Sequence, residues 1–307
     1  MPRPWRGPKP KIMKQLTKED ISQEVFDLYD DYAHNKITRK DFLEKLSLFA
    51  VGAITLPALL SFIMPDYDSI FVQSDDPRLD SKMMSYDSPK GAGTMKALLS
   101  KPKDTKKKLP GIVVVHENRG LNPYIKDVGR RAAVEGYISI APDALTPLGG
   151  YPGNDDMGRA LQRKRDRNEM LEDFIAAYEY LESHPDCTGE VGVVGFCFGG
   201  WISNMMAVKV PGLSAAVPYY GRQPSDEDAA NIKAPLLLQY GELDKRVNAG
   251  WEAFEKVLKE NRIEYKAHFY ANANHGFHNN TTPRYDKAAA ELSWERTMAF
   301  FKKHLMS

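Results

Sequence analysis

Short apolar runs alternate with amphipathic stretches along most of the chain beyond residue 82. Continuous apolar runs are typical of strands buried on both faces of a parallel sheet, and apolar positions three and four apart predict helices between them. This order predicts right-handed crossovers and a doubly wound, mostly parallel α/β sheet with its chemistry at the carboxyl ends of the strands. After a hairpin that includes 95–99, the predicted strands are 111–115, 137–141, 191–194, 215–219, 236–240 and 267–270. The predicted helices are 124–135, 163–182, 200–208, 249–261 and 285–304.

The first 81 residues lack this alternation, and we interpret them as an N-terminal arm and helical extension of a catalytic domain at 82–307. Residues 1–18 carry basic but no acidic side chains together with several prolines, a composition typical of a solvated arm. After Thr17, an apolar stripe predicts a helix that ends near Ala33, and Thr17 with Asp20 predicts its cap.

An uncharged apolar run from Leu46 to Met64 is long enough to cross a bilayer. The residues before it resemble a twin-arginine export signal, with Lys40 in place of the second arginine. Basic residues precede the run and none follows it until Arg78, a bias that places the N-terminus in the cytoplasm. These patterns favour export or membrane association through 46–64. The alternative is a cytoplasmic protein in which this run is a helix docked on the catalytic domain or a partner subunit.

Composition narrows the class of partner. Lysine and arginine total 42 against 41 acidic residues, so nothing in the overall charge selects for nucleic acid. The two cysteines, Cys187 and Cys197, are too few for a disulfide scaffold or a structural zinc site. Histidines clustered in one loop near His275 do not make a ligand set, and we expect neither a metal nor a cofactor. The oligomeric state is left open.

A Gly-x-Cys-x-Gly sequence lies between a predicted strand and a predicted helix, with Cys197 at its centre. This is the nucleophile-elbow pattern with sulfur in place of the usual serine oxygen. Because a sharp turn crowds the residues two before and two after the nucleophile, Gly195 and Gly199 are the residue types that the pattern needs. The following helix would favour the thiolate through its N-terminal dipole. The alternative is a buried cysteine that serves as a small hydrophobe.

The order of two further residues supports catalysis. Asp244 follows the strand 236–240 and His275 follows the strand 267–270, and nucleophile, acid, histidine is the order that an α/β-hydrolase requires. Taken singly, Asp244 could cap the next helix and His275 could be structural. Together with Cys197 they predict a triad in which Cys197 is the nucleophile, His275 the base and Asp244 the group that orients it.

These residues, with His116-Glu117-Asn118-Arg119-Gly120-Leu121, resemble the dienelactone hydrolase (carboxymethylenebutenolidase) family over roughly residues 82–305. The resemblance implies an α/β-hydrolase fold and an enzyme that cleaves small-molecule esters or lactones without a cofactor. It implies that Glu117 activates the thiol, and that the backbone N–H groups of Asn118 and Phe198 form the oxyanion hole. The alternative for Glu117 is a loop carboxylate that faces water or Arg119.

The sequence departs from the family where dienelactone carboxylates are held. An arginine is usual four residues after the catalytic histidine, and here that position is Asn279. Arg159 and Arg163 are candidates for a second carboxylate-binding arginine, and Tyr220 either lines the pocket or packs in the core. Two alternatives to ester or lactone hydrolysis are the same fold acting on thioesters or peptides, and a membrane-tethered interaction protein without turnover.

Overall fold

The computed structural model describes residues 16–52 and 54–306 and divides the chain into two compact units, Met1–Pro65 and Asp66–Ser307. The helices of the first unit are α1 (Gln23–Ala33), α2 (Arg39–Ser47) and α3 (Leu56–Ile63). In the second unit the strands are β1 (Leu79–Ser88), β2 (Gly93–Pro102), β3 (Leu109–Val115), β4 (Ile138–Pro142), β5 (Cys187–Phe196), β6 (Ala215–Tyr219), β7 (Leu236–Gly241) and β8 (Tyr265–Tyr270). Its helices are α4 (Pro123–Val134), α5 (Asp155–Gln162), α6 (Arg167–Glu182), α7 (Phe198–Lys209), α8 (Asp226–Ala229), α9 (Lys245–Asn248), α10 (Trp251–Glu260) and α11 (Lys287–Leu305).

The first unit is built on a small apolar core that its three helices share. Thr17 and Asp20 cap a 3₁₀ turn, Lys18–Asp20, and α1 follows this turn and ends at Ala33 as predicted. The segment that resembles an export signal forms the first turn of α2, where Thr38 and Asp41 cap each other's backbone N–H. The buried members of the core are Ile21, Val25, Phe26, Tyr29, Ala33, Phe42, Leu46, Leu59 and Ile63.

The apolar run 46–64 does not form one helix. α2 ends at Ser47 and α3 begins only at Leu56, after Gly52 has taken a positive φ of 66° and Thr55 has capped the new helix. Within 16–52 and 54–306, we find no helix that combines the length and the apolar character needed to span a membrane. Export and membrane association stay predictions.

The second unit is one sheet of eight strands in the order β1-β2-β4-β3-β5-β6-β7-β8. β1 and β2 form the predicted hairpin, β2 pairs antiparallel with β4, and the remaining neighbours are parallel. The predicted fold class, a mostly parallel doubly wound α/β sheet with helices at the N-terminus, is confirmed. All parallel strands end at the same edge, where residues from separate parts of the chain come together.

Both faces of the sheet are covered, as the uninterrupted apolar strands predict. Successive side chains of a strand point to opposite faces, and in β3 Ile112 and Val114 join the core under α4 and α11. Val113 and Val115 join the opposite core, beneath α6, α7 and α10. The predicted helix 163–182 is wrong at its start: Asp166 accepts the N–H groups of Asn168 and Glu169, so its cap separates α5 from α6.

Residues 66–78 lie in the second unit, although we predicted the domain boundary at 82. The buried carboxylate of Asp127 in α4 accepts the backbone N–H of Phe71 at 3.2 Å and that of Val72 at 2.7 Å. The same carboxylate pairs with Arg131. Arg130 in turn donates from Nε to the carbonyl of Val72 at 2.7 Å. Two side chains of α4, Asp127 and Arg130, therefore tie the segment before β1 to the catalytic unit.

We predict that Asp127→Ala lowers the free energy of unfolding by roughly 3 kcal/mol, because it leaves two backbone N–H groups and a guanidinium without their buried carboxylate. Urea denaturation followed by near-ultraviolet circular dichroism measures this. Asp80→Ala, at an exposed position of β1, is the matched control and should change stability by less than about 0.5 kcal/mol. Equal effects from the two substitutions would contradict the assigned role of Asp127.

Candidate active site

The turn between β5 and α7 holds Cys197 in a backbone conformation that few non-glycine residues adopt, with φ 57° and ψ −109°. Its N–H donates to the carbonyl of Tyr219 in β6 at 3.1 Å. Its carbonyl accepts the N–H groups of Gly200 and Trp201 at 3.0 and 3.2 Å. These bonds fix the residue against β6 and against the first turn of α7, so that its thiol stands at a helix N-terminus.

Glycines around Cys197 are required because backbone approaches backbone there. A Cβ on Gly195 would collide with the carbonyl of Gly199 and would lie 2.5 Å from Oγ of Ser203. On Gly199, a Cβ would collide with the carbonyl of Val115 at the end of β3. This close contact brings the loop after β3, which carries Glu117 and Asn118, against the turn.

The imidazole of His275 and the carboxylate of Asp244 form a buried pair, with Nδ1 and Oδ2 2.6 Å apart. The thiol sulfur of Cys197 and a ring nitrogen of His275 lie within 4.8 Å of each other. Asp244 also caps α9, since its Oδ1 accepts the N–H of Val247 at 3.2 Å. The capping and orienting interpretations of Asp244 are therefore compatible, because its two carboxylate oxygens have different partners.

Glu117 is 2% exposed, so the alternative of a carboxylate facing water is wrong. Its Oε2 accepts a hydrogen bond from Nδ2 of Asn279 at 3.1 Å and lies 4.0 Å from Nε of Arg119. Asn279 stands where dienelactone-binding relatives are expected to carry arginine, and here it holds Glu117 with a neutral amide. The structure thus brings Glu117 to the same strand edge as Cys197 and His275.

Comparison with known proteins places this geometry in a family. Residues 95–305 match the dienelactone hydrolase family, which is more than half of the chain. The chain belongs to the dienelactone hydrolase family. It is therefore a hydrolase that acts on ester or lactone bonds. A second family, described as YqhI-like, matches residues 13–52 of the N-terminal unit.

Individual relatives agree with this dienelactone hydrolase assignment. The "Putative hydrolase fragment YghX" of Escherichia coli K12 is 49% identical over 37% of this chain and 97% of its own length. A "Putative carboxymethylenebutenolidase" of Saccharolobus solfataricus is 29% identical over 72% of this chain and 98% of its own. The crystal structure of a "Putative Dienelactone Hydrolase" from Klebsiella pneumoniae superposes with a TM-score of 0.65 at 26% identity, covering 73% of this chain and 99% of that one.

A network of buried charges continues from Glu117 in this hydrolase. Nη1 of Arg119 donates to Oδ2 of Asp155 at 2.8 Å, and Oδ1 of Asp155 accepts the hydroxyls of Tyr67 at 2.7 Å and Tyr151 at 2.9 Å. Burial opposes ionisation of Asp155, but the charge of Arg119 and the two tyrosine hydrogen bonds lower the pKa of this carboxyl. Arg119 is thus a cation held between two carboxylates.

Tyr67 is a member of this network that sequence reasoning missed. It lies in the 3₁₀ turn Tyr67–Ser69, which we had assigned to the N-terminal extension, and 88 positions separate it from Asp155. Burial, with the nearby charge of Asp155, raises the pKa of Tyr67, so its hydroxyl stays a donor at neutral pH. No local motif signals a contact over such a separation.

Tyr220 and Arg246 flank the imidazole of His275. The ring of Tyr220 is buried, with its centroid 4.9 Å from that of His275, and it also packs on Phe277. Nη2 of Arg246 lies 3.3 Å from Nδ1 of His275, a neighbour that the sequence did not single out. Tyr220 therefore both packs in the core and borders the site.

The two arginines proposed from the sequence differ in placement. Arg159 in α5 is buried and pairs with Asp156, whereas Arg163 is exposed at the end of α5. Sequence reasoning missed Arg167, whose guanidinium lies 4.3 Å above the ring of Trp201. Burial and the charge of Arg222 lower the pKa of Arg167 while Cys197 raises it, so this cation is within electrostatic range of the thiol. Arg246 and Arg167 are thus two cations close to His275 and Cys197.

We predict that Gly195→Ala abolishes activity and lowers the free energy of unfolding by about 2 kcal/mol or more, because its methyl group would overlap the backbone of Gly199. Ester hydrolysis and urea denaturation measure the two effects. Gly129→Ala in α4 is the matched control, since its new Cβ would meet Ala141 at 3.7 Å and Ser139 at 3.8 Å. The control should keep activity and gain roughly 0.5 kcal/mol from its helix propensity. An active Gly195→Ala variant would refute this account of the turn.

Proposed function

We propose that this protein hydrolyses small-molecule esters or lactones through a Cys197-His275-Asp244 triad and a thioacyl intermediate. The observation that carries the proposal is the 2.6 Å Asp244–His275 pair, with a ring nitrogen of His275 within 4.8 Å of the Cys197 sulfur. The intact arrangement in a member of a hydrolase family favours catalysis over the alternative of a non-catalytic interaction protein.

In the first step, the thiol proton of Cys197 passes to His275, the sulfur attacks the carbonyl carbon, and the carbonyl oxygen gains negative charge. The backbone N–H groups of Asn118 and Phe198 stabilise that charge. Phe198 suits this role because it is the first residue of α7, where a backbone N–H has no partner within the helix. When this tetrahedral intermediate collapses, the alcohol oxygen leaves and takes a proton from His275. A thioester to Cys197 remains.

In the second step, His275 removes a proton from water, and the resulting hydroxide attacks the thioester carbon. The carboxylic acid leaves and the sulfur departs as thiolate, which completes the cycle. Asp244 orients the imidazole and stabilises its charged form through the bond to Nδ1. Glu117 assists the initial deprotonation of the thiol, as it is buried on the same strand edge.

The substrate differs in its anchoring from the dienelactones of the family. Asn279 is a neutral hydrogen-bond donor engaged with Glu117, so it offers no charge to a substrate carboxylate. Arg159 and Arg163 were the sequence candidates for that role, but Arg159 is paired with Asp156. Arg167 is favoured over Arg163 because its charge interacts with the Cys197 thiol. We infer that the substrate is a small ester or lactone. A carboxylate on it would be bound by Arg167, the first residue of α6.

Cysteine catalysis is tested with Cys197→Ala and Cys197→Ser on an aryl ester and an aromatic lactone. The alanine variant should lose at least about 10³-fold in kcat/KM, because no nucleophile remains. The serine variant should be slow and should accumulate an acyl-enzyme that mass spectrometry detects at residue 197. Cys187→Ala is the matched control, since burial raises the pKa of that thiol and it stays inert. Activity that survives Cys197→Ala would sink the proposal.

Asp244→Asn separates the two roles of Asp244. Asparagine caps helices well, so the stability of α9 and of the protein should change by less than about 1 kcal/mol. The amide cannot hold His275 in the required tautomer, so kcat should fall by roughly 10³- to 10⁴-fold. Asp166→Asn at the cap of α6 is the control, and it should leave kcat unchanged. If Asp244→Asn lost stability but kept its activity, Asp244 would be a cap alone.

A further inference from the structure

Strand β8 lies at one edge of the sheet, and in the described part of the chain β7 is its one neighbouring strand. The carbonyls of Glu264 and Tyr270 accept hydrogen bonds from β7 at 2.9 and 3.0 Å. The N–H and C=O of one residue point to the same side of a strand, and successive residues alternate. The backbone groups of Tyr265, Ala267 and Phe269 therefore point away from β7, and a further strand can pair with them.

One face of β8 extends an aromatic cluster to the edge of the sheet. The rings of Tyr265 and Phe269 flank the indole of Trp251, with centroids 6.1 and 5.6 Å from it. Phe269 also packs on Tyr240 at 5.1 Å, yet 44% of its surface is exposed. An apolar side chain on an added strand would contact this ring and remove it from water.

The other face of β8 forms one wall of a groove of about 430 Å³, and α11 forms the opposite wall. Lys266 and His268 line the groove from the strand, and Arg296 and Lys303 line it from the helix. Lys303 is matched by Glu264 at 2.7 Å. Among the residues that the structure describes, Lys266 and Arg296 form no ion pair. Two cations in this groove are therefore available to an incoming carboxylate.

His268 reports the charge of the groove. Burial lowers the pKa of His268 to about 4, and the positive charges of Arg296 and Lys266 lower it further. The imidazole is therefore neutral at pH 7 and leaves the two cations as the source of positive potential. A carboxylate between Lys266 and Arg296 would reduce their repulsion.

A second copy of this chain fits the edge poorly. Antiparallel pairing of two β8 strands around Ala267 would match the outward backbone groups. It would also gather the Lys266 and Arg296 side chains of both copies on one face of the joined sheet, where like charges are destabilising. Lysine on an edge strand is a common protection against such self-pairing. An acidic strand would meet the same backbone groups with opposite charge.

We propose that β8 binds an extended segment of a partner protein in which acidic residues alternate with apolar ones. The backbone of the segment pairs with Tyr265, Ala267 and Phe269. Its carboxylates face Lys266 and Arg296, and its apolar side chains cover the ring of Phe269. Main-chain hydrogen bonds supply affinity in this mode of binding, and alternate side chains supply specificity. The site does not depend on hydrolysis, so its test is independent of the proposed function.

Fluorescence anisotropy of the full-length protein with labelled peptides tests the proposal. The probe is an acetylated seven-residue peptide that alternates glutamate with valine, and the control peptide has lysine in place of each glutamate. The glutamate peptide should bind saturably with one site per chain, at least about tenfold more tightly than the lysine peptide. Equal binding of the two peptides, or no saturable binding of the glutamate peptide, would overturn the proposal.

Ala267→Pro tests the pairing of backbones. Proline removes an N–H that points away from β7, so the ladder with β7 and the circular dichroism spectrum should be retained. Affinity for the glutamate peptide should fall at least about tenfold, since an outward donor is lost and the ring blocks the edge. Ala267→Val is the matched control and should bind within about twofold of the wild type. Unchanged affinity in a folded Ala267→Pro protein would refute strand addition.

Arg296→Gln tests the charge of the groove and should weaken binding of the glutamate peptide by about threefold to tenfold. Lys82→Gln, at an exposed position of β1 on the other edge of the sheet, is the matched control and should bind like the wild type. Equal losses in both variants would show that net charge alone attracts the peptide, against the proposal. Sedimentation velocity without peptide should give one mass for the wild type and Ala267→Pro. A dimer that Ala267→Pro dissociates would assign the edge to a second copy instead.

Discussion

The site around Cys197 depends on one constraint, the close contact between backbone segments that glycine residues permit. Because Gly195 and Gly199 lack a Cβ, the backbone of the turn can pack against itself. For the same reason, the carbonyl of Val115 at the end of β3 can pack closely against Gly199. A second such contact joins Gly200 to Gly221 after β6, where a Cβ on either would collide with the other backbone. β3, β5 and β6 therefore end as one rigid edge, and the strained φ of Cys197 is held by bonds to β6 and α7.

The loop after β3 depends on that edge for its placement and on buried charge for its conformation. Glu117 and Arg119 are both 2% exposed, and charges so deeply buried require partners. Asn279 and Arg119 are the partners of Glu117, and Asp155 is the second partner of Arg119. Tyr67, from a distant segment, donates a hydrogen bond to Asp155. The conformation of the proposed thiol-activating residue thus depends on residues outside the proposed triad.

The N-terminal boundary of the catalytic unit follows from the same contacts. Family matches cover 13–52 and 95–305, and the residues between them belong to neither match. The structure assigns 66–94 to the catalytic unit, because Asp127 and Arg130 bind the backbone near Val72 and because β1 pairs with β2. The hairpin and the segment before it are therefore parts of the enzyme rather than of the extension.

The sequence by itself determined the alternating strands, the glycine-flanked Cys197 and the chain order of Asp244 and His275, because periodicity, turn sterics and topology are expressed locally. It also predicted the end of α1, but it missed α5 and began α6 four residues too early, since the Asp166 cap interrupts an apparently continuous helical pattern. Only the tertiary structure decided the contacts of Tyr67 with Asp155, of Asn279 with Glu117 and of Tyr124 with His278. These pairs are separated by 88, 162 and 154 positions, and their distances depend on how whole strands and helices pack.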